Sequence, residues 1–175
     1  GGRYGALNAK LMAAVTDPLD RSMLAGLADV VRAATIGFEA WDYTRSLEIT
    51  ESFFWSFCDD YLELVKDRAY GGQGQAGAAS ARAALRIALD VLLRLFAPIL
   101  PYVTEEVWSW WREGSVHRQA WPLPAETLPE GMPGDPGMLP AVGEALGAVR
   151  KTKSEAKVGM RAEITSMTLA APQPV

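Results

Sequence analysis

The sequence predicts a mainly α protein, an antiparallel helical bundle with a small C-terminal helix-plus-strand appendage. Three observations lead there. Apolar residues recur at spacings of three and four through 24–41, 54–69 and 85–96, the period of helices with one face against a core. Glycine- and proline-rich breaks at 71–77 and 122–137 separate the periodic runs, as connections do. Strand-like, β-branched character is confined to 162–169.

The elements follow in chain order. A short opening helix is expected over 4–15. Asp17-Pro-Leu-Asp20 reads as a helix start: Asp17 caps the free amides, Pro18 suits the first turn, and Asp20 complements the positive end of the dipole. Leu24, Leu27, Val31, Ala34, Phe38 and Trp41 then share one face, so this helix is expected to reach residue 41 or 43. From Phe53 to Tyr70 large aromatics gather on one helical face. Phe54, Phe57, Cys58, Tyr61, Leu62, Val65 and Ala69 make the stripe, backed by Ser56, Asp59, Asp60, Glu63, Lys66 and Asp67. The glycines at 71–77 predict a mobile connector. A second long helix is expected from about Ala79, with Leu85, Ala88, Leu89, Leu92, Leu93 and Phe96 inward and Arg82, Arg86, Asp90 and Arg94 along another face. Pro98 and Pro101 punctuate it. Thr104 is expected to cap a helix with Val107, Trp108 and Trp111 on one side and Trp110 pointing elsewhere, over a seam. Between 122 and 137, five prolines and three glycines predict a loop without helix or strand interior. Helical spacing returns over 138–158 through Leu139, Val142, Leu146 and Val149. The strand at 162–169 needs a partner, either 115–121 or chain outside this sequence.

Composition narrows the function classes. With 175 residues and 49% hydrophobic content, the chain supplies one substantial core without covalent staples. One cysteine, Cys58, and one histidine, His117, exclude an intramolecular disulfide and a multi-ligand Cys/His metal site. No apolar run approaches the roughly 20 residues that cross a bilayer, and the first residues lack a secretion signal, so the expected location is cytoplasmic, with no membrane partner. Residues 1–137 hold 12 Lys and Arg against 18 Asp and Glu, and 138–175 hold five against three, so the net charge of −4 divides into −6 and +2. Arg150, Lys151, Lys153, Lys157 and Arg161 form the basic cluster, which is either a solvated helix face or a patch for phosphate.

No catalytic constellation emerges. The glycine run lacks the preceding strand and the lysine of a phosphate loop. Cys58 lies on the apolar stripe, the place of a structural thiol. His117 reads as a packing or hydrogen-bonding residue, and the adjacent pairs Asp59-Asp60 and Glu105-Glu106 diverge around a helix instead of facing one site.

Three segments nevertheless carry a specific resemblance: Phe54-Trp-Ser-Phe-Cys-Asp-Asp-Tyr-Leu-Glu-Leu-Val-Lys66, Phe96-Ala-Pro-Ile-Leu-Pro-Tyr-Val-Thr-Glu-Glu-Val-Trp108 and Ser115-Val-His-Arg-Gln-Ala-Trp-Pro122. In wording, order and spacing they resemble consecutive landmarks of the anticodon-binding domain of valyl-tRNA synthetases, and the match runs from about Asp17 to Leu169. Isoleucyl-tRNA synthetases share versions of these segments, while the Phe-Cys-Asp-x-Tyr-Leu-Glu wording is nearer to the valyl family. The resemblance implies the helical bundle of a class I aminoacyl-tRNA synthetase, an ATP-dependent ligase that attaches valine to its tRNA in protein biosynthesis. The family's catalytic and editing domains are outside this sequence, and so is the C-terminal coiled-coil arm. The chain has neither His-x-Gly-His nor Lys-Met-Ser-Lys-Ser, its nearest imitation being Lys151-Thr-Lys-Ser-Glu155. It is therefore expected to be a catalytically inactive, monomeric piece of a longer enzyme, with no catalytic residue, metal or cofactor of its own, ATP belonging to the catalytic domain. Its expected partners are the anticodon stem and loop of valine tRNA and that missing catalytic domain.

The family's anticodon contacts map onto Asn8 in the first helix and onto Asp59, Tyr61, Leu62 and Lys66 in the motif helix. Asn8 offers donor and acceptor to a base edge, Leu62 an apolar surface under an unstacked base, and Lys66 a contact to phosphate or carbonyl. Tyr61 also sits in the stripe, where packing competes with stacking, and Leu62 stands equally between core and contact. The family commonly carries an aromatic a few residues beyond the asparagine, whereas this chain reads Asn8-Ala-Lys-Leu-Met-Ala. Lys10 is left to meet the backbone electrostatically, with Arg150, Lys153 and Lys157 adding charge, so binding is expected to be salt-sensitive and at best micromolar. The expected organisation is a bundle over 1–121, a Pro/Gly-rich linker over 122–137 and a basic helix with a short strand over 138–175. A competing expectation from another class is a helical protein-interaction module using Trp41, Trp55, Trp108, Trp110, Trp111 and Trp121.

Overall fold

Asp17 begins the first long helix as its sequence requires. Its backbone is extended and its Oδ1 accepts a hydrogen bond from the Leu19 amide at 2.9 Å, so helix α1 runs Pro18–Glu39. The computed structural model describes residues 10–159 and 162–168, and 10–14 form a short helix ahead of α1. The rest of the expected opening helix, and Asn8 with it, lies outside the described residues. α1 stops short of Trp41, which takes a left-handed φ of 60°. Asp42 then caps α2, Tyr43–Ser56, through the Arg45 amide. The two helices approach closely because Gly37 has no Cβ: one added there would meet Ser46 Oγ, which donates to the Ala34 carbonyl at 3.0 Å.

The aromatic stretch is helical, with an interruption its periodicity did not announce. Residues Phe57–Tyr61 form one π turn, closed by the Leu62 amide on the Phe57 carbonyl, and α3 continues over Leu62–Tyr70. Phe57, Tyr61 and Val65 are buried, and Phe54, Cys58, Leu62 and Ala69 pack partly covered against the same core. Gly71, at φ 100°, ends α3. The expected connector over 71–77 is shorter than predicted, since α4 spans Gln75–Phe96. Gly77 already belongs to it, and the space its missing side chain leaves is taken by Arg68, whose Cγ and Cδ lie 3.2 Å from where a Cβ would stand.

On α4 the expected inward residues Ala88, Leu92, Leu93 and Phe96 are buried and Leu85 is half-buried, while Leu89 is exposed. The buried surface is wider than expected and takes in Ala81, Ala84, Val91 and Leu95, because alanines let neighbouring helices come close. The supposed polar face is split: Arg82 and Arg86 are exposed, but Asp90 and Arg94 are buried. Arg94 pairs with Asp90 at 2.8 Å and with Glu126 at 2.7 Å, and Arg112 reaches the other Asp90 oxygen at 2.8 Å. This ion network ties α4 to Arg112 and Glu126, later in the chain.

Helix α5 is Pro101–Ser109, starting at the proline, so Thr104 is not its cap. Thr104 is buried in the first turn with its hydroxyl donating to the Leu100 carbonyl. Trp108 is buried with Leu93, Ala97 and Val116 in a second small core. Trp110 is exposed, its indole N–H on Glu106, and covers no seam. The expected partner strand at 115–121 holds instead the 3-10 turn Val116–Arg118, and the proline-rich connection contains another, Pro124–Glu126. Helix α6, Met138–Glu155, buries Leu139 in the main core and receives Ser22 Oγ as acceptor for the Leu139 amide at 2.9 Å. The described residues contain no strand. Residues 162–168 are irregular because nothing among the described residues pairs with them, and Leu169 lies outside. Among the described residues no helix is long and apolar enough to cross a membrane.

Candidate nucleic-acid interface

The motif helix is held by a buried carboxylate. Asp20, wholly buried, accepts from Tyr61 Oη at 2.7 Å, from both terminal nitrogens of Arg68 at 2.7 Å and from Ser80 Oγ at 2.6 Å. Ser80 Oγ in turn accepts the Thr16 and Asp17 amides at 3.0 and 3.1 Å. One charge pair and its hydrogen bonds therefore join the start of α1, the π turn, α3 and α4. The sequence reading gave Asp20 only a dipole role. A carboxylate, an arginine, a tyrosine and a serine scattered over 60 positions leave no periodic signal.

Burial, with the neighbouring Asp20 charge, pushes the Tyr61 phenol far above its ordinary value of 10.0, since ionisation would place a second anion beside Asp20. The hydrogen bond to Asp20 raises the Arg68 guanidinium further above its usual range. Burial, and then Asp59, raise the Cys58 thiol, which suits a packing residue and not a nucleophile. A tyrosine whose folded pKa exceeds its unfolded one stabilises the fold fully below about pH 10, and that contribution is lost as pH rises beyond it. Stability is therefore expected to fall above pH 10, and Tyr61→Phe to flatten that limb, which denaturant melts from pH 8 to 11 would measure.

With Tyr61 fully covered and its hydroxyl given to Asp20, it has no face to offer a base; it positions the helix instead. Around it, Asp59 and Lys66 are exposed and Leu62 is half-buried against the core. Lys66 makes a loose surface pair with Glu63 at 3.7 Å, which holds little energy in water. α6 approaches the same turn: Arg150 donates to the Asp59 carbonyl at 3.1 Å and to Asp60 Oδ1 at 3.4 Å, and Gly143 comes close enough that a Cβ there would stand 3.0 Å from Asp60. The structure thus joins Arg150 to the motif turn, a meeting between residues 90 positions apart that the sequence did not signal. Lys153 turns back to the Ala162 carbonyl at 2.6 Å. Lys157, at φ 53°, is exposed beyond the end of α6. Lys10 is exposed and lines a separate groove against α4. His117 Nε2 lies 3.1 Å from the Pro101 carbonyl, a structural hydrogen bond. Among the described residues no His, Cys, Asp and Glu cluster could hold a metal ion.

Known proteins match this arrangement along nearly its whole length. A family model described as the anticodon-binding domain of tRNA ligase matches residues 20–168. The valine–tRNA ligase of Thermobifida fusca is 62% identical over 157 residues, 90% of this chain and 18% of that protein. That of Salinispora arenicola is 57% identical over 178 residues, 93% of this chain and 21% of its own length. That of Cutibacterium acnes is 54% identical over 163 residues, 92% of this chain and 18% of its own. The chain spans about a fifth of the length of these relatives.

Proposed function

Because the chain belongs to the family of anticodon-binding domains of tRNA ligases, we propose that it grips the anticodon stem and loop of valine tRNA as one part of an enzyme that attaches valine to that tRNA using ATP. The observation that carries this reading is the division of labour within the motif. Phe57, Tyr61 and Val65 are buried, which fixes the turns from which Asp59, Leu62 and Lys66 reach the surface beside the basic side of α6. RNA single strands are read by such a mixture of carboxylate, apolar surface and cation on a rigid support. Asn8 extends the contact, and Lys10, Lys153 and Lys157 add attraction for phosphate. Arg150, through Asp60 and the Asp59 carbonyl, links α6 to the motif turn.

Short connections, 40–42 between α1 and α2 and 71–74 between α3 and α4, favour neighbours that run antiparallel. The bundle over 1–121 does the recognition, 122–137 links, and 138–175 adds basic charge. Chemistry belongs to a catalytic domain on the rest of the enzyme, where ATP binds; this part acts as a monomer, in the cytoplasm, with no cofactor of its own.

A gel shift comparing valine tRNA with the same tRNA carrying a substituted anticodon tests the proposal. Micromolar binding of valine tRNA is expected, at least tenfold weaker for the substituted form, with the preference reduced by Lys66→Ala together with Asp59→Ala. Equal affinity for both tRNAs would remove the reading.

A further inference from the structure

Lys10, Arg82 and Arg86 stand around an open groove of about 660 Å³ whose floor includes Leu85, Leu89 and Trp111. Among the described residues no acidic side chain lines it, although the first 137 residues have a net charge of −6. We propose that this groove binds the sugar–phosphate backbone of the tRNA, a contact apart from the motif helix; the inference rests on the function proposed above.

The cations are available and in part pre-set. All three are exposed, and none has a carboxylate within ion-pair distance among the described residues. The Arg82 Nε donates to the Ala69 carbonyl at 2.8 Å, at the end of α3. The Arg86 guanidinium lies over the Trp111 ring, 5.3 Å from its centre. An arginine held at its root loses little freedom when it meets phosphate, and its fork matches phosphate geometry. Arg82 and Arg86 are one helical turn apart, so both face the same strip of surface, with Lys10 across from them. In the basic tail, by contrast, Arg150 is engaged with Asp60. The apolar floor offers riboses and base edges a dry surface between the cations.

The test is the salt dependence of valine tRNA binding by the chain and by Arg82→Gln/Arg86→Gln. Each phosphate contact removed lowers the steepness of log affinity against log salt by about 0.7 to 0.9. The double variant is therefore expected to lose about 1.5 units of slope and to bind valine tRNA and its anticodon-substituted form more weakly by the same factor. Arg82→Lys/Arg86→Lys is expected to keep the slope, and Lys10→Gln, which alters an exposed side chain only, to lose about one unit. An unchanged slope in the glutamine variants overturns the groove. So does binding of poly-glutamate that these substitutions abolish while tRNA binding stays the same, which would mark an acidic protein as the occupant. Anticodon preference in the unaltered chain reads the motif-helix site separately, so either site can fail alone.

Discussion

Asp20→Ala is expected to lower stability by about 3–5 kcal/mol, the cost of leaving a buried arginine without its partner. Among the described residues Arg68 would retain only Asp17, at 3.4 Å, as an acidic partner, and Tyr61 and Ser80 would each lose their carboxylate acceptor. For a chain of this length that corresponds to a fall of roughly 10 °C in the thermal midpoint. Asp20→Asn should recover only part, since the amide accepts hydrogen bonds but does not balance the Arg68 charge. Thermal and urea melts followed by circular dichroism measure this directly. A midpoint within two degrees of the parent would mean that water or relaxation replaces what Asp20 supplies. The same variant should weaken tRNA binding, because the turns bearing Asp59 and Lys66 are aligned through this pair.

The second large effect is expected at Arg94. Arg94→Ala removes one cation from between Asp90 and Glu126 and takes a donor from the Ala120 carbonyl. A loss of about 3 kcal/mol follows from an uncompensated buried carboxylate, moderated because Arg112 still pairs with Asp90. The loss should also be local. Amide exchange should quicken first over 115–127, which Glu126 holds to α4 through Arg94, and only then across the bundle. Glu126→Gln in the Arg94→Ala background should add little, since the two act as one unit. Full additivity of the two substitutions would show that they stabilise independently.

Both effects fall on residues whose role the sequence did not reveal, for one physical reason. Periodicity reports which side of a helix is apolar, so the helices, the Asp17 cap and the burial of Phe57, Tyr61 and Val65 were legible. It reports nothing about polar groups that enter the core in compensated sets. Asp90 and Arg94 stepped by four like any solvated pair, yet Glu126 and Arg112, from beyond α5, allow them to be buried. The inward face of α4 was legible except at Leu89, and its full width was not: leucines weigh heavily in a hydrophobic pattern, while close helix approach also buries Ala81 and Ala84. Thr104 looked like a cap because it precedes two acids, but Pro101 had already begun the helix. The candidate site was proposed from its motif alone, and there Asp59 and Lys66 are exposed and Leu62 is half-buried. Tyr61 is buried, and a stripe position gives no warning that its hydroxyl has a buried acceptor. Arg82 and Arg86 needed three-dimensional neighbours before any role could be assigned, and so did the link of Arg150 to the motif turn.

The π turn at Phe57–Tyr61 has a consequence for how the long arm from Tyr43 to Tyr70 is phased. An uninterrupted α helix advances about 100° per residue, so the single extra residue accommodated in the turn resets the angular phase of everything after it. α2 can then keep Ser46 toward α1 while α3 independently keeps Arg68 toward Asp20. The turn works as a clutch between two rotational settings, letting one rod satisfy α1 through Ser46 at one end and Asp20 through Arg68 at the other.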